Sequence, residues 1–150
     1  MSANQAMLDR LMTLVTEPTR PLVSGLAGLL REQLIEENGC WFLASLRDGA
    51  RTASLASFPD RTGFECFVNH IHIGDVVQIS NVVESFRHAL GWAEALRKKL
   101  ERHGEFNIIV SCDDTDCSVR FHRIRPGETW LTDDLESYTA ESVLVIPVGR

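Results

Sequence analysis

Apolar residues recur along this chain at two spacings, and the spacing changes after Asn38-Gly39 and again near Ser80. Met7, Leu8, Leu11, Met12, Leu14 and Val15 fall at helical intervals, behind a capping-box start formed by Ser2 and Gln5. Pro18 and Pro21 end that helix. Pro21 suits the first turn of a second one, with Leu22, Leu26, Leu29, Leu30 and Leu34 on one face. Asn38 and Gly39 both tolerate left-handed backbone, so they predict its C-cap.

Beyond that point the period shortens. "CWFLASL" (40–46), "ARTASLASF" (50–58) and "GFECFVNHIHI" (63–73) are separated by "RDG" and "PDRT", which predicts a three-strand antiparallel meander. A long helix follows over about 81–103. Asn81 and Glu84 cap it, Val82, Val83, Phe86, Ala89, Leu90, Ala93, Leu96 and Leu100 form its apolar stripe, and Gly104 stops it. "FNIIVSC" (106–112) and "CSVRFHRIR" (117–125) read as two more strands around a "DDTD" loop, with a bulge expected near Arg123. Asp133 to Tyr138 predicts one helical turn capped by Thr132 or Asp133. "SVLVIPV" (142–148) predicts a closing strand in the sheet interior. The order ααβββαββ(α)β describes an α+β fold. Two N-terminal helices precede a largely antiparallel sheet of about six strands, on which the long helix packs.

Composition narrows the class. With 150 residues, 44% hydrophobic and 24% charged, the chain reads as a single globular domain over 1–150. The first eighteen residues lack a basic n-region, and the longest apolar run, from Leu22 to Leu30, is too short to span a bilayer. A cytoplasmic chain with no membrane association is expected. Its cysteines (Cys40, Cys66, Cys112, Cys117) are then expected as thiols, although Cys112 and Cys117 would face each other across a hairpin where a disulfide is geometrically possible.

Chemistry-bearing candidates are few. On a strand, Cys66, His70 and His72 would share a face and could converge on a zinc or copper ion, but only distant residues such as His122 or Cys112 offer further ligands. A strand with half-buried, hydrogen-bonded histidines accounts for the same alternation. Cys40 opens a strand-like run, not a helix, so it lacks the dipole that activates thiol nucleophiles and reads as core beside Trp41. "RKKLERH" (97–103) is a basic cluster at a helix C-terminus, diluted by glutamates, without the aromatic residues of a nucleic-acid platform. Phosphate-loop, dinucleotide-binding and serine-triad patterns are absent, so neither a catalytic constellation nor a cofactor is expected.

Charge is unevenly distributed. The net charge is −6, and residues 104–150 carry nine acids against four bases. Such a surface disfavours nucleic acid and attracts a basic protein. Trp130 and Tyr138 stand beside Asp133, Asp134 and Glu136, and Asp113, Asp114 and Asp116 form the other acidic group. Aromatic anchors ringed by carboxylates suit a protein interface, though Trp130 and Tyr138 could equally cover a sheet edge. The acidic character and the segment "WLTDDLESYTAESVLVI" (130–146) resemble the closing turn and strand of immunity proteins from bacterial polymorphic-toxin and contact-dependent growth inhibition systems. That resemblance implies an inhibitor that occludes a cognate toxin domain, often a nuclease. Asp113, Asp114, Asp116, Asp133, Asp134 and Glu136 would then imitate the charge of the substrate. The alternative is a metal-binding module or metal-dependent enzyme using Cys66, His70 and His72.

Overall fold

The computed structural model describes residues 1–14 and 21–149. It shows an α+β fold built on a five-stranded antiparallel sheet of order β1-β7-β5-β6-β4, with a separate two-stranded ribbon, β2-β3. The strands are β1 (Ser2–Ala3), β2 (Leu34–Glu37), β3 (Cys40–Leu43), β4 (His70–His72), β5 (Phe106–Cys112), β6 (Cys117–Arg123) and β7 (Ser142–Val148). The helices are α1 (Gln5–Leu14), α2 (Ser24–Arg31), α3 (Ala44–Gly49), α4 (Arg61–Val68), α5 (Ile73–Val76) and α6 (Val82–Leu100).

The C-terminal half follows the pattern of its sequence closely. Asn81 caps α6 by accepting the Glu84 N–H at 3.0 Å, and the Glu84 carboxylate reaches back to the Ser80 N–H at 2.8 Å. Phe86, Ala89, Trp92, Ala93, Leu96 and Leu100 of α6 are buried, and they pack with Phe106, Ile108, Val110, Val119, Phe121, Leu144 and Val148 in one core. Trp92 also donates its indole N–H to the Leu26 carbonyl at 3.1 Å, which locks α2 onto α6. The expected bulge is absent: β5 and β6 pair without interruption from Phe106↔Arg123 to Cys112↔Cys117. Those cysteines are joined by a disulfide, while Cys40 and Cys66 remain buried thiols.

The first half departs from the sequence pattern at several points. Ser2 does not cap α1, because Ser2 and Ala3 pair with Val145 and Leu144 as an edge strand. Asn4 caps instead, taking the Met7 and Val143 N–H groups at 3.1 and 3.0 Å. The expected breaker Pro18 and the apolar position Val15 lie outside the described residues. Pro21 precedes α2 without entering its first turn, and α2 stops at Arg31. Leu34 to Glu37 form a strand because Asn38 and Gly39, at φ +53° and +78°, make the paired left-handed turn that a two-residue hairpin demands.

The three-strand meander is therefore replaced. Only Cys40–Leu43 of the first segment is a strand, and α3 follows it. Residues 50–58 form turns and a short 3₁₀ segment, Leu55–Ser57, capped by Ser54. Within 63–73, Arg61 to Val68 is helical, because Asp60 accepts the Gly63 N–H at 2.7 Å and starts a helix. Only His70–His72 is strand. Helix α4 buries Thr62, Gly63, Phe64, Glu65, Cys66 and Val68 but leaves Phe67 exposed, and so short an apolar run fits a buried strand as well as a helix. Its apolar side joins Cys40 and Phe42 in a second, smaller core.

Candidate functional site

Pairing in the sheet divides the side chains of β4 to β7 into two sets. Phe106, Ile108, Val110, Val119, Phe121, Leu144 and Ile71 face the α6 core. The opposite face carries His70, His72, Ser118, Arg120, His122, Asn107, Ile109 and Val145. Helix α4 and the segment from Arg125 to Glu141 cover that second face.

The charged group enclosed beneath that cover is Glu65, which is fully buried. Its carboxylate takes the Trp41 and Arg123 N–H groups at 2.6 and 2.7 Å and a two-pronged pair from Arg125 at 2.7 and 2.9 Å. Arg125 also donates to the Gly39 carbonyl at 2.7 Å, so one ion pair ties β3, α4 and the end of β6 together. Glu128 lies 3.9 Å from Arg125 and takes the Thr62 N–H at 3.0 Å. The sequence signal for Glu65 is a charged residue inside the apolar stretch "GFECFV", and nothing in the pattern singles out Arg125.

The histidines sit apart from Cys66. His70 and His72 are on β4 with ring centroids 4.6 Å apart, whereas Cys66 is buried on α4. The shared strand face on which a three-ligand metal site depended does not exist. Among the described residues no group of three or more His, Cys, Asp or Glu side chains is placed to hold a metal ion. Arg120 donates to His70 Nε2 at 3.0 Å, so that nitrogen is an acceptor and His70 is neutral. Burial, with the nearby charges of Arg120 and His72, pushes the His70 pKa down to about 4. Burial likewise raises the Cys40 thiol to about 11, which removes it as a nucleophile.

The other face of Arg120 meets Trp130, whose ring centre lies 5.1 Å from the guanidinium. Trp130 is 40% exposed and stands at the mouth of a cleft of about 350 Å³. Asn107, Ile109, His122 and Val145 form the cleft floor, and residues 127–133 with Leu135 form its other wall. Asp133 lines that cleft; Tyr138 is half-buried, with its hydroxyl accepting the Thr132 N–H at 3.1 Å.

A family model for the uncharacterized protein PM0498 family matches residues 2–149. The chain belongs to that family. No curated protein and no solved structure matches it.

In this PM0498-family chain the acidic residues divide by what they hold. Asp113 accepts from Thr115 N, Thr115 Oγ1 and Asp116 N, which shapes the β5-β6 turn. Asp116 accepts from the Gly74 N–H, the Ser85 hydroxyl and the Cys117 N–H. A side chain at Gly74 would collide with that carboxylate at 2.9 Å. The helical turn expected over 133–138 is a 3₁₀ turn, Leu135–Ser137, capped by Asp134 and not by Thr132 or Asp133. Glu136 accepts the Gln5 N–H at 2.7 Å, where it meets the positive end of α1. Asp114 is fully exposed, 3.9 Å from Arg10 of α1, and Asp133 is exposed. Both acidic groups thus border α1, one at Gln5 and the other at Arg10. Asp114 and Asp133 present their carboxylates to water, whereas Asp113, Asp134 and Glu136 spend hydrogen-bonding capacity within the fold and Asp116 is largely covered.

Proposed function

We propose that this chain is a small acidic protein-binding inhibitor, of the kind the resemblance to toxin-immunity proteins implies, acting by occluding a basic partner domain such as a nuclease. The observation that carries the reading is Trp130: a large aromatic ring left 40% exposed, clamped over Arg120 and flanked by the exposed carboxylates of Asp133 and Asp134. A rigid aromatic beside a cleft is the usual anchor of an interface, and the surrounding carboxylates speed the encounter with a basic surface. Asp113, Asp116 and Glu136 contribute charge from fixed positions, so the interface asks little ordering of them on binding. Among the described residues no helix is long and apolar enough to cross a membrane, and a cytoplasmic site of action is part of the proposal.

The test is copurification from the native cell at low and high salt, followed by an activity assay on the retained protein. One basic protein, held stoichiometrically at low salt and inactivated by the purified chain, is the expected outcome. Charge reversal at Asp133 and Asp134 should weaken that complex. A retained protein whose activity survives saturation with the chain would defeat the inhibitor reading.

A further inference from the structure

The cleft beside Trp130 contains polar groups that the fold leaves unused. Asn107 and His122 are direct partners across β5 and β6, so their side chains stand side by side on the cleft floor. His122 is only 4% exposed. Its Nδ1 lies 2.9 Å from the Arg123 carbonyl, which can only accept, so the ring proton sits on Nδ1 and Nε2 carries a lone pair. Among the described residues His122 Nε2, the Asn107 amide, the Thr129 hydroxyl and the Asp133 carboxylate make no hydrogen bond, and all four residues line the cleft. That ring nitrogen opens on the cleft with its lone pair free, so it offers an acceptor to a donor placed there.

Charge and size define that occupant. Glu128 and Asp133 are anionic, and the lining's cation, Arg125, is already engaged by Glu65. Arg120 lies across the Trp130 ring and outside the lining. At about 350 Å³ the cleft is near the lower bound of ligand pockets, roughly 300 Å³, and so suits one side chain better than a peptide. Acceptors stand on both walls. A planar guanidinium with five fixed donors can serve both, whereas an ammonium is a compact, strongly hydrated charge.

We infer that the cleft receives a single arginine side chain of the basic partner, whose guanidinium donates to His122 Nε2, the Asn107 carbonyl oxygen and Asp133 while Trp130 flanks its stem. This rests on the partner-binding reading and locates the partner's anchor. The test is an NMR titration of the isotope-labelled full chain with N-acetyl-L-arginine methylamide and, separately, its lysine counterpart. Expected are saturable shifts at the His122 ring nitrogens and the Asn107 side-chain amide, with the arginine compound binding at least about fivefold tighter. Asp133→Asn, an exposed and structurally mild change, should weaken it about tenfold. His122→Gln should weaken it similarly, and Asp133→Asn carries the test should that variant not fold. Equal binding of both compounds, or shifts that do not saturate or lie elsewhere, would overturn the inference. Those results leave salt-sensitive partner binding intact, because Trp130 and the acidic turn act without an occupied cleft. Arginine held in the cleft of a chain that inhibits no basic protein would instead sustain the site and sink the inhibitor reading.

Discussion

The two faces of the five-stranded sheet are built on opposite principles. Against α6 the contacts are apolar and interchangeable in kind: Trp92, Phe106, Ile108 and Phe121 are all fully buried and together make one dry layer. On the other face, order comes from individual polar contacts such as Glu65 with Arg125 and Arg120 with His70. The first face depends on area and volume. The second depends on each partner being present, and it lines the cleft where His122 Nε2 and the Asn107 amide stay free.

The largest expected effects set the two side by side. Phe121→Ala should cost about 3–5 kcal/mol through lost burial and a residual cavity, read from urea unfolding. Glu65→Ala should cost about 3–5 kcal/mol as well, but because it strands the Arg125 charge and two backbone N–H groups. The distinction lies in rescue. Arg125→Met added to Glu65→Ala should recover part of the loss, while no single polar change rescues Phe121→Ala. A Glu65→Ala protein within about 1 kcal/mol of wild type would show that the polar face does not depend on this pair.

The same division decided what the sequence revealed. Residues 81–148 present one apolar stripe to one layer, so apolar pattern together with capping residues located α6, β5, β6 and β7 to within about three residues. Residues 34–73 fold into small elements wedged between layers. There Asn38-Gly39 serves a hairpin where a helix end was equally compatible, and α4 is so short an apolar run that strand and helix fit it alike. The site was legible in part. Trp130 and Asp133 stand at the cleft, but Asn107, His122 and Arg120 were invisible as a group, because only the β5-β6 register brings them together.

The disulfide belongs to the dry face and comes next in size. Cys112 and Cys117, five positions apart, close a short loop, and loop entropy assigns their bond about 2 kcal/mol. Unfolding midpoints with and without reductant should differ accordingly, and thiol counting should find two free cysteines, Cys40 and Cys66, in the unreduced denatured protein. Four free thiols in the protein as isolated would show that the pair is reduced where it acts.

A smaller effect separates the faces by pH. His70 has an ordinary pKa of 6.5 and is held down to about 4 in the fold. The unfolded chain therefore binds a proton that the native chain refuses, and stability falls as pH drops from about 6.5 to about 4. Full conversion at about 1.36 kcal/mol per unit would give about 3 kcal/mol, and solvent screening of this half-buried ring reduces that to on the order of 1 kcal/mol. His122, also lowered by burial, adds in the same direction. His70→Gln should flatten the stability profile through this window. An unchanged slope would mean that His70 does not titrate differently in the two states.

Trp130→Ala should be the mildest of these changes for stability and the most damaging for binding. The ring keeps 40% of its surface in water, and its contact with the Arg120 cation is worth about 0.5–1 kcal/mol at such a site. Loss of the whole side chain should then cost on the order of 1 kcal/mol in unfolding experiments. An interface anchor, by contrast, loses at least about 2 kcal/mol of binding on truncation, roughly a thirtyfold weaker complex with the retained partner. Trp130→Phe should fall between, since it keeps an aromatic wall and the guanidinium contact. If Trp130→Ala instead destabilises the fold by several kcal/mol and leaves partner affinity unchanged, the ring is a cover for Arg120 and the sheet. The polar face would then be a structural layer like the dry one, and the binding surface would lie elsewhere.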